Sequence, residues 1–207
     1  VHDRKGGYVG EVGLGSRKDI RDAVAAARGA KGWTSATAYN RAQVLYFLAE
    51  NLAVRADEFS ARLTRLTGAS AKAARAEVDA SVERIFAAAG MADKFEGTAH
   101  EPPARAVVLA LHEPVGVLGI VAPDEQPLLG LIAMLAPALA MGNAVVAVPS
   151  ARWPLIATDL YQVFETSDLP AGSVNIVTGR TAELAGVLAK HDDVDGLWVV
   201  ADADTCK

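Results

Sequence analysis

Between Val115 and Val148 the chain reads VGVLGIVAPDEQPLLGLIAMLAPALAMGNAVVAV. Its first eight residues, Val115–Ala122, are almost continuously apolar and rich in β-branched side chains, which predicts a strand buried on both faces. A loop carrying two carboxylates follows. Pro127 then suits the first turn of a helix, which should run to Met141. Gly142-Asn143 stops that helix, and Ala144–Val148 reads as a second buried strand. The whole segment Gln126–Ala151 lacks charge, and a bilayer span needs about 20 apolar residues. The Gly-Asn stop and Pro137 divide it, however, so it reads as core helix and core strand, with no membrane role.

Toward the C-terminus the alternation continues. Leu155–Thr166 and Ala182–Lys190 read as helices, and Val174–Val177 and Leu197–Val200 as strands. Apolar strands separated by helices imply a parallel sheet covered on both faces. Right-handed crossovers make it a Rossmann-like, doubly wound α/β core. Toward the N-terminus, Arg105–His112 reads as a strand after the break at Glu101-Pro102-Pro103. Ala71–Lys94 reads as a helix with Val78, Val82, Ile85 and Phe86 on one face. Leu45, Leu48, Leu52, Phe59, Leu63 and Leu66 recur at helical steps and predict one long helix ended by Gly68. Ser16 and Asp19 have capping-box spacing ahead of a helix through Ala23–Ala30, and Trp33 follows in a loop. Gly6–Gly15 is strand and turn material with no complete G-x-G-x-x-G. The chain thus divides into a helical segment (1–100), a strand extension (101–122) and an incomplete Rossmann-like core (123–207).

The 207 residues are 51% hydrophobic and 22% charged, with a formal net charge of −5. That is a globular composition, and its sign disfavours nucleic acid or an anionic membrane as a partner. The single cysteine, Cys206, excludes an internal disulfide and points to the cytoplasm. No signal or transit peptide is legible at Val1; the absent Met and the end at Lys207 suggest a piece of a longer polypeptide. His2, His100, His112 and His191 have no metal-like or triad-like spacing. Asp192, Asp193 and Asp195 read as a surface turn, so no metal site is expected.

His112-Glu113-Pro114-Val115-Gly116-Val117 resembles the strand entry of aldehyde dehydrogenases. The resemblance continues through Pro127-Leu128-Leu129, Leu135-Ala136-Pro137-Ala138-Leu139-Ala140 and Gly142-Asn143-Ala144-Val145-Val146. It extends through Leu169–Gly179 to His191-Asp192-Asp193-Val194-Asp195, and on the N-terminal side includes Ala23–Arg28, Trp33, Arg41-Ala42 and Ala76-Glu77-Val78-Asp79. It therefore covers nearly the whole chain and implies that family's fold, with NAD or NADP as the family's cofactor. The family's chemistry uses a cysteine nucleophile, an asparagine at the oxyanion, a glutamate base and the nicotinamide as hydride acceptor.

Carried over position by position, the resemblance finds changes. The family's Pro-Trp-Asn-x-Pro loop is here Pro123-Asp124-Glu125-Gln126-Pro127. Glu125 thus stands where the family places its oxyanion donor; a carboxylate only accepts hydrogen bonds and repels a developing oxyanion. Adjacent Asp124 and Glu125 do not make a glycosidase-type pair, because neighbouring residues rarely face one substrate. The family's Lys-Pro-x-Glu, which holds the adenosine ribose, is here Val148-Pro149-Ser150-Ala151. Its Phe-Thr-Gly-Ser is here Val199-Val200-Ala201-Asp202, so Asp202 would compete with a pyrophosphate at a helix N-terminus and reads better as an N-cap. The family's nucleophile and base lie further along than Lys207, and Cys206 does not match the nucleophile. The resemblance with these losses implies a non-catalytic aldehyde-dehydrogenase unit, without a cofactor of its own in this segment. It would serve structure or assembly as a homo-oligomer or beside an active unit. The alternatives are the N-terminal part of a working NAD(P)-dependent enzyme, and a module binding another small molecule.

Overall fold

The computed structural model describes residues 1–95 and 97–200. Its helices are α1 (Arg17–Gly29), α2 (Lys31–Thr34), α3 (Ala38–Val54), α4 (Ala56–Thr67), α5 (Ala71–Ala92), α6 (Pro127–Ala140), α7 (Pro154–Glu165) and α8 (Thr181–Leu188). Its strands are β1 (Thr98–His100), β2 (Val108–Ala110), β3 (Val117–Val121), β4 (Ala144–Val148), β5 (Val174–Ile176) and β6 (Gly196–Val199). The last four form one parallel sheet in the order β5-β4-β3-β6. The chain runs outward from β3 to β5 and then returns to β3's other side with β6. That reversal opens a crevice at the carboxyl ends of the strands.

Strand β4 is buried at every position and β3 at all but Leu118, as helices on both faces require. One face of the sheet packs with α1 and α8, through Ile20, Val24, Val121, Val148 and Leu184. On the other, Ile120, Val145 and Ala147 join a core shared with α3–α7. The N-terminal helices and the sheet therefore share one apolar cluster, so α6 lies sandwiched and needs no polar face of its own.

The long helix expected across Leu45–Leu66 is two helices. At Arg55 the backbone turns out of the helical region and its N–H bonds back to Leu52. Its guanidinium holds both carboxylate oxygens of Glu58 at 2.9 and 2.7 Å, fixing the new start. Apolar spacing reports which side faces the core, and both helices face the same core. Trp33, expected in a loop, lies buried in α2. The expected strand Arg105–His112 shrinks to Val108–Ala110, because its antiparallel partner offers only Thr98–His100. The N-terminal strand and turn material forms an isolated His2–Tyr8 bridge. The capping box is present, with the Ser16 N–H donating to the Asp19 carboxylate at 2.8 Å. Among the described residues no helix is long and apolar enough to cross a membrane.

Candidate functional site at the ends of β3 and β4

Strand β3 delivers Ala122, whose N–H still bonds to the Val148 carbonyl at 2.9 Å. The chain then turns away through Pro123–Gln126. Gln126 closes the turn in the left-handed region at φ +48, an unusual conformation for a side chain without special backbone hydrogen bonding. The helix that follows this turn is capped from a distant helix. The Glu77 carboxylate on α5 accepts the N–H groups of Leu128 at 2.9 Å and Leu129 at 3.3 Å. These are N–H groups of the first turn of α6, which lack partners within the helix. Glu77 is 9% exposed; burial pushes its carboxyl above the usual glutamate range, against the lowering effect of the two N–H groups.

The second carboxylate ties the loop after β3 to the loop after β4. Asp124 accepts the Ser150 hydroxyl at 2.6 Å and the Arg152 N–H at 3.3 Å. Ser150 in turn accepts the Trp153 N–H at 3.0 Å. The loops after β3 and β4 are thus sewn together by Asp124 and Ser150. Glu125, between them, is exposed to solvent. A cleft of about 420 Å³ opens here, lined among others by Glu77, Asp124, Glu125, Gln126, Arg4 and Arg152.

The remaining expected positions fall as follows. Val148 is 0% exposed and packs among the apolar residues on the α1 side of the sheet. Ala151 is exposed in the loop after β4. Neither carries a side-chain atom able to bond a ribose hydroxyl. Asp202 and Cys206 lie outside the described residues. The histidines are dispersed: the His112 ring lies tilted against Phe95 with centroids 4.5 Å apart, His100 bonds Thr98, and the His191 ring accepts the Asp193 N–H. Among the described residues no group of three or more His, Cys, Asp or Glu could hold a metal ion.

Three residues matter more than the sequence alone indicated. Glu77 caps the site helix. Arg41 serves the other end of α6, donating to the Ala140 carbonyl at 2.9 Å. Asp195 leaves its acidic turn to accept the Val117 N–H at 2.7 Å and Arg28 at 2.7 Å. That pairing with Arg28, more than the backbone bond, holds its carboxyl below the usual aspartate range.

A doubly wound α/β unit with an N-terminal helical layer and a crevice at its strand ends defines a class of nucleotide-fold protein. Within that class the chain belongs to the aldehyde dehydrogenase family, whose sequence model matches residues 1–207. It is 35% identical over 208 residues to aldehyde dehydrogenase family 2 member B4, mitochondrial, of Arabidopsis thaliana, covering 99% of this chain and 39% of that protein. It is also 35% identical to hydroxyisobutyraldehyde dehydrogenase of Mycolicibacterium austroafricanum over 207 residues, 99% of this chain and 41% of that protein. Among solved structures, an apo betaine aldehyde dehydrogenase from Staphylococcus aureus superposes with TM-score 0.93 at 26% identity, over 100% of this chain and 44% of that one. The same enzyme in complex with NAD+ gives 0.90 at 26% identity, over 96% of this chain and 42% of that one. The chain thus spans about two fifths of the relatives it matches.

Proposed function

We propose that this chain is part of an aldehyde-dehydrogenase unit that has lost aldehyde oxidation and serves structure or assembly, as a homo-oligomer or beside an active unit. The observation that carries this reading is Glu125, on the loop that closes β3, where the resemblance places the oxyanion donor. Removing one such donor typically costs about 10²–10³ in rate, and a carboxylate adds repulsion. Val148 and Ala151 point the same way for the cofactor. A dinucleotide held through these positions finds two alkyl groups where its ribose needs polar partners, and the carboxylates of Asp124 and Glu125 nearby. These residues do not fit the group. Titration calorimetry with NAD and NADP should give no saturable heat at micromolar protein; saturable micromolar binding overturns the reading.

A second reading, the N-terminal part of a working but divergent enzyme, is favoured by the intact frame. Glu77 holds the first turn of α6, and the fold follows betaine aldehyde dehydrogenase over the whole chain. Under that reading the same titration saturates. Assembly is proposed to run through the hairpin of β1 and β2, whose residues are all exposed and which continues into Leu111 and Val115, 70% and 60% exposed.

A further inference from the structure

Among the described residues strand β5 ends the sheet, and one of its edges has no neighbouring strand. Its register fixes which groups face outward. Ser173 and Val177 bond toward β4, through Val145 N–H to the Ser173 carbonyl at 2.8 Å and Val177 N–H to the Ala147 carbonyl at 2.9 Å. Alternation then turns the main-chain groups of Val174 and Ile176 away from the sheet. Such outward groups are a template for another strand. One of them, the Ile176 N–H, is met from within the chain. The Tyr161 hydroxyl, from α7, accepts the Ile176 N–H at 2.8 Å. One residue pair further along, the Gly15 N–H donates to the Thr178 carbonyl at 2.6 Å, and the Thr178 hydroxyl donates to the Gly13 carbonyl at 2.7 Å. A Cβ at Gly15 would stand 2.6 Å from that same carbonyl, so glycine permits the approach.

We infer that Tyr161 is an edge plug. Its hydroxyl occupies the outward N–H at the middle of the β5 edge, while Gly13–Gly15 covers the far end, and together they keep a second copy of this chain from adding its own β5 there. The hydroxyl sits on a ring that also packs edge-on against Phe164 at 6.2 Å, so phenylalanine preserves the packing and removes only the acceptor.

The test uses the intact protein. In Tyr161→Phe, amide exchange at Ile176 should rise roughly tenfold, the worth of one hydrogen bond at its upper range. Exchange at Val177, bonded into the sheet, should not change. In Tyr161→Ala, which also clears the ring, sedimentation should show a new concentration-dependent association. Unchanged Ile176 exchange overturns the plug, as does an equal rise at Val177, which would mean that Tyr161 acts on general stability. Wild-type association in Tyr161→Ala overturns the claim that the plug keeps another strand away.

Discussion

Glu77 is one residue in a helix of mixed character, and its neighbours in sequence give no hint of its task. A charged residue on an amphipathic helix usually faces water. Here it reaches Leu128 and Leu129, more than fifty positions away in the chain. Glu77→Ala leaves one buried and one half-buried N–H group without that acceptor, and should destabilise the protein by about 1–3 kcal/mol. Thermal melts at neutral pH check this, and Glu77→Gln, which keeps an acceptor, should retain most of the stability. The pH dependence follows from the sign of the shift. Burial raises the folded-state pKa, so the folded protein binds the proton more tightly than the unfolded chain. Stability from this group is complete below the ordinary glutamate range and is lost as pH rises through the raised value. Melts of the wild type should therefore fall relative to Glu77→Gln over that interval; a parallel pair of curves contradicts the assignment.

At the scale of elements, α6 shows how much was legible and why. Its apolar sequence, Pro127 start and Gly-Asn stop marked it out, and the stop is chemically complete. Gly142, at φ +83, donates to Leu139, and Asn143 donates to Ala138. This is the left-handed helix end that glycine permits. Strand β4 was legible to the residue for the same reason, since a fully buried strand has no ambiguous polar flank. What periodicity could not reveal is the electrostatic closure of α6. Glu77 stands at its N-terminus and Arg41 at its C-terminus, each opposite in sign to the helix dipole it meets. Arg41→Met keeps most of the aliphatic stem and removes the bond to Ala140; it should cost about 1–2 kcal/mol in denaturant unfolding. The β3 start is constrained more sharply. Gly116 sits at φ +129, and a Cβ there would lie 2.1 Å from the Asp195 carboxylate. Gly116→Ala must therefore strain the backbone and break the Asp195 clasp to Arg28 and Val117, and should be the most destabilising of these substitutions, by more than ~2 kcal/mol. The break at Arg55 and the shortened β2 were not legible, because both depend on partners that apolar spacing does not report.

For the whole molecule, family and fold were legible from motifs in order along the chain, whereas the proposed loss of activity rests on departures from those motifs. Glu125, Val148 and Ala151 were visible as changed letters. Their setting was not: Val148 is sealed in the core, and Asp124 sews two loops together through Ser150. Under the proposed non-catalytic reading such losses act in series, since a restored oxyanion donor has no use without a bound hydride acceptor. The substitution Glu125→Asn in the full-length protein, with any other active aldehyde-dehydrogenase copy silenced at its own cysteine, separates one loss from several. NAD-dependent aldehyde oxidation should show no gain from this single change. A rise approaching the ~10²–10³ that such a donor is worth would show that only the oxyanion position had drifted, and would contradict the assignment of this unit as non-catalytic.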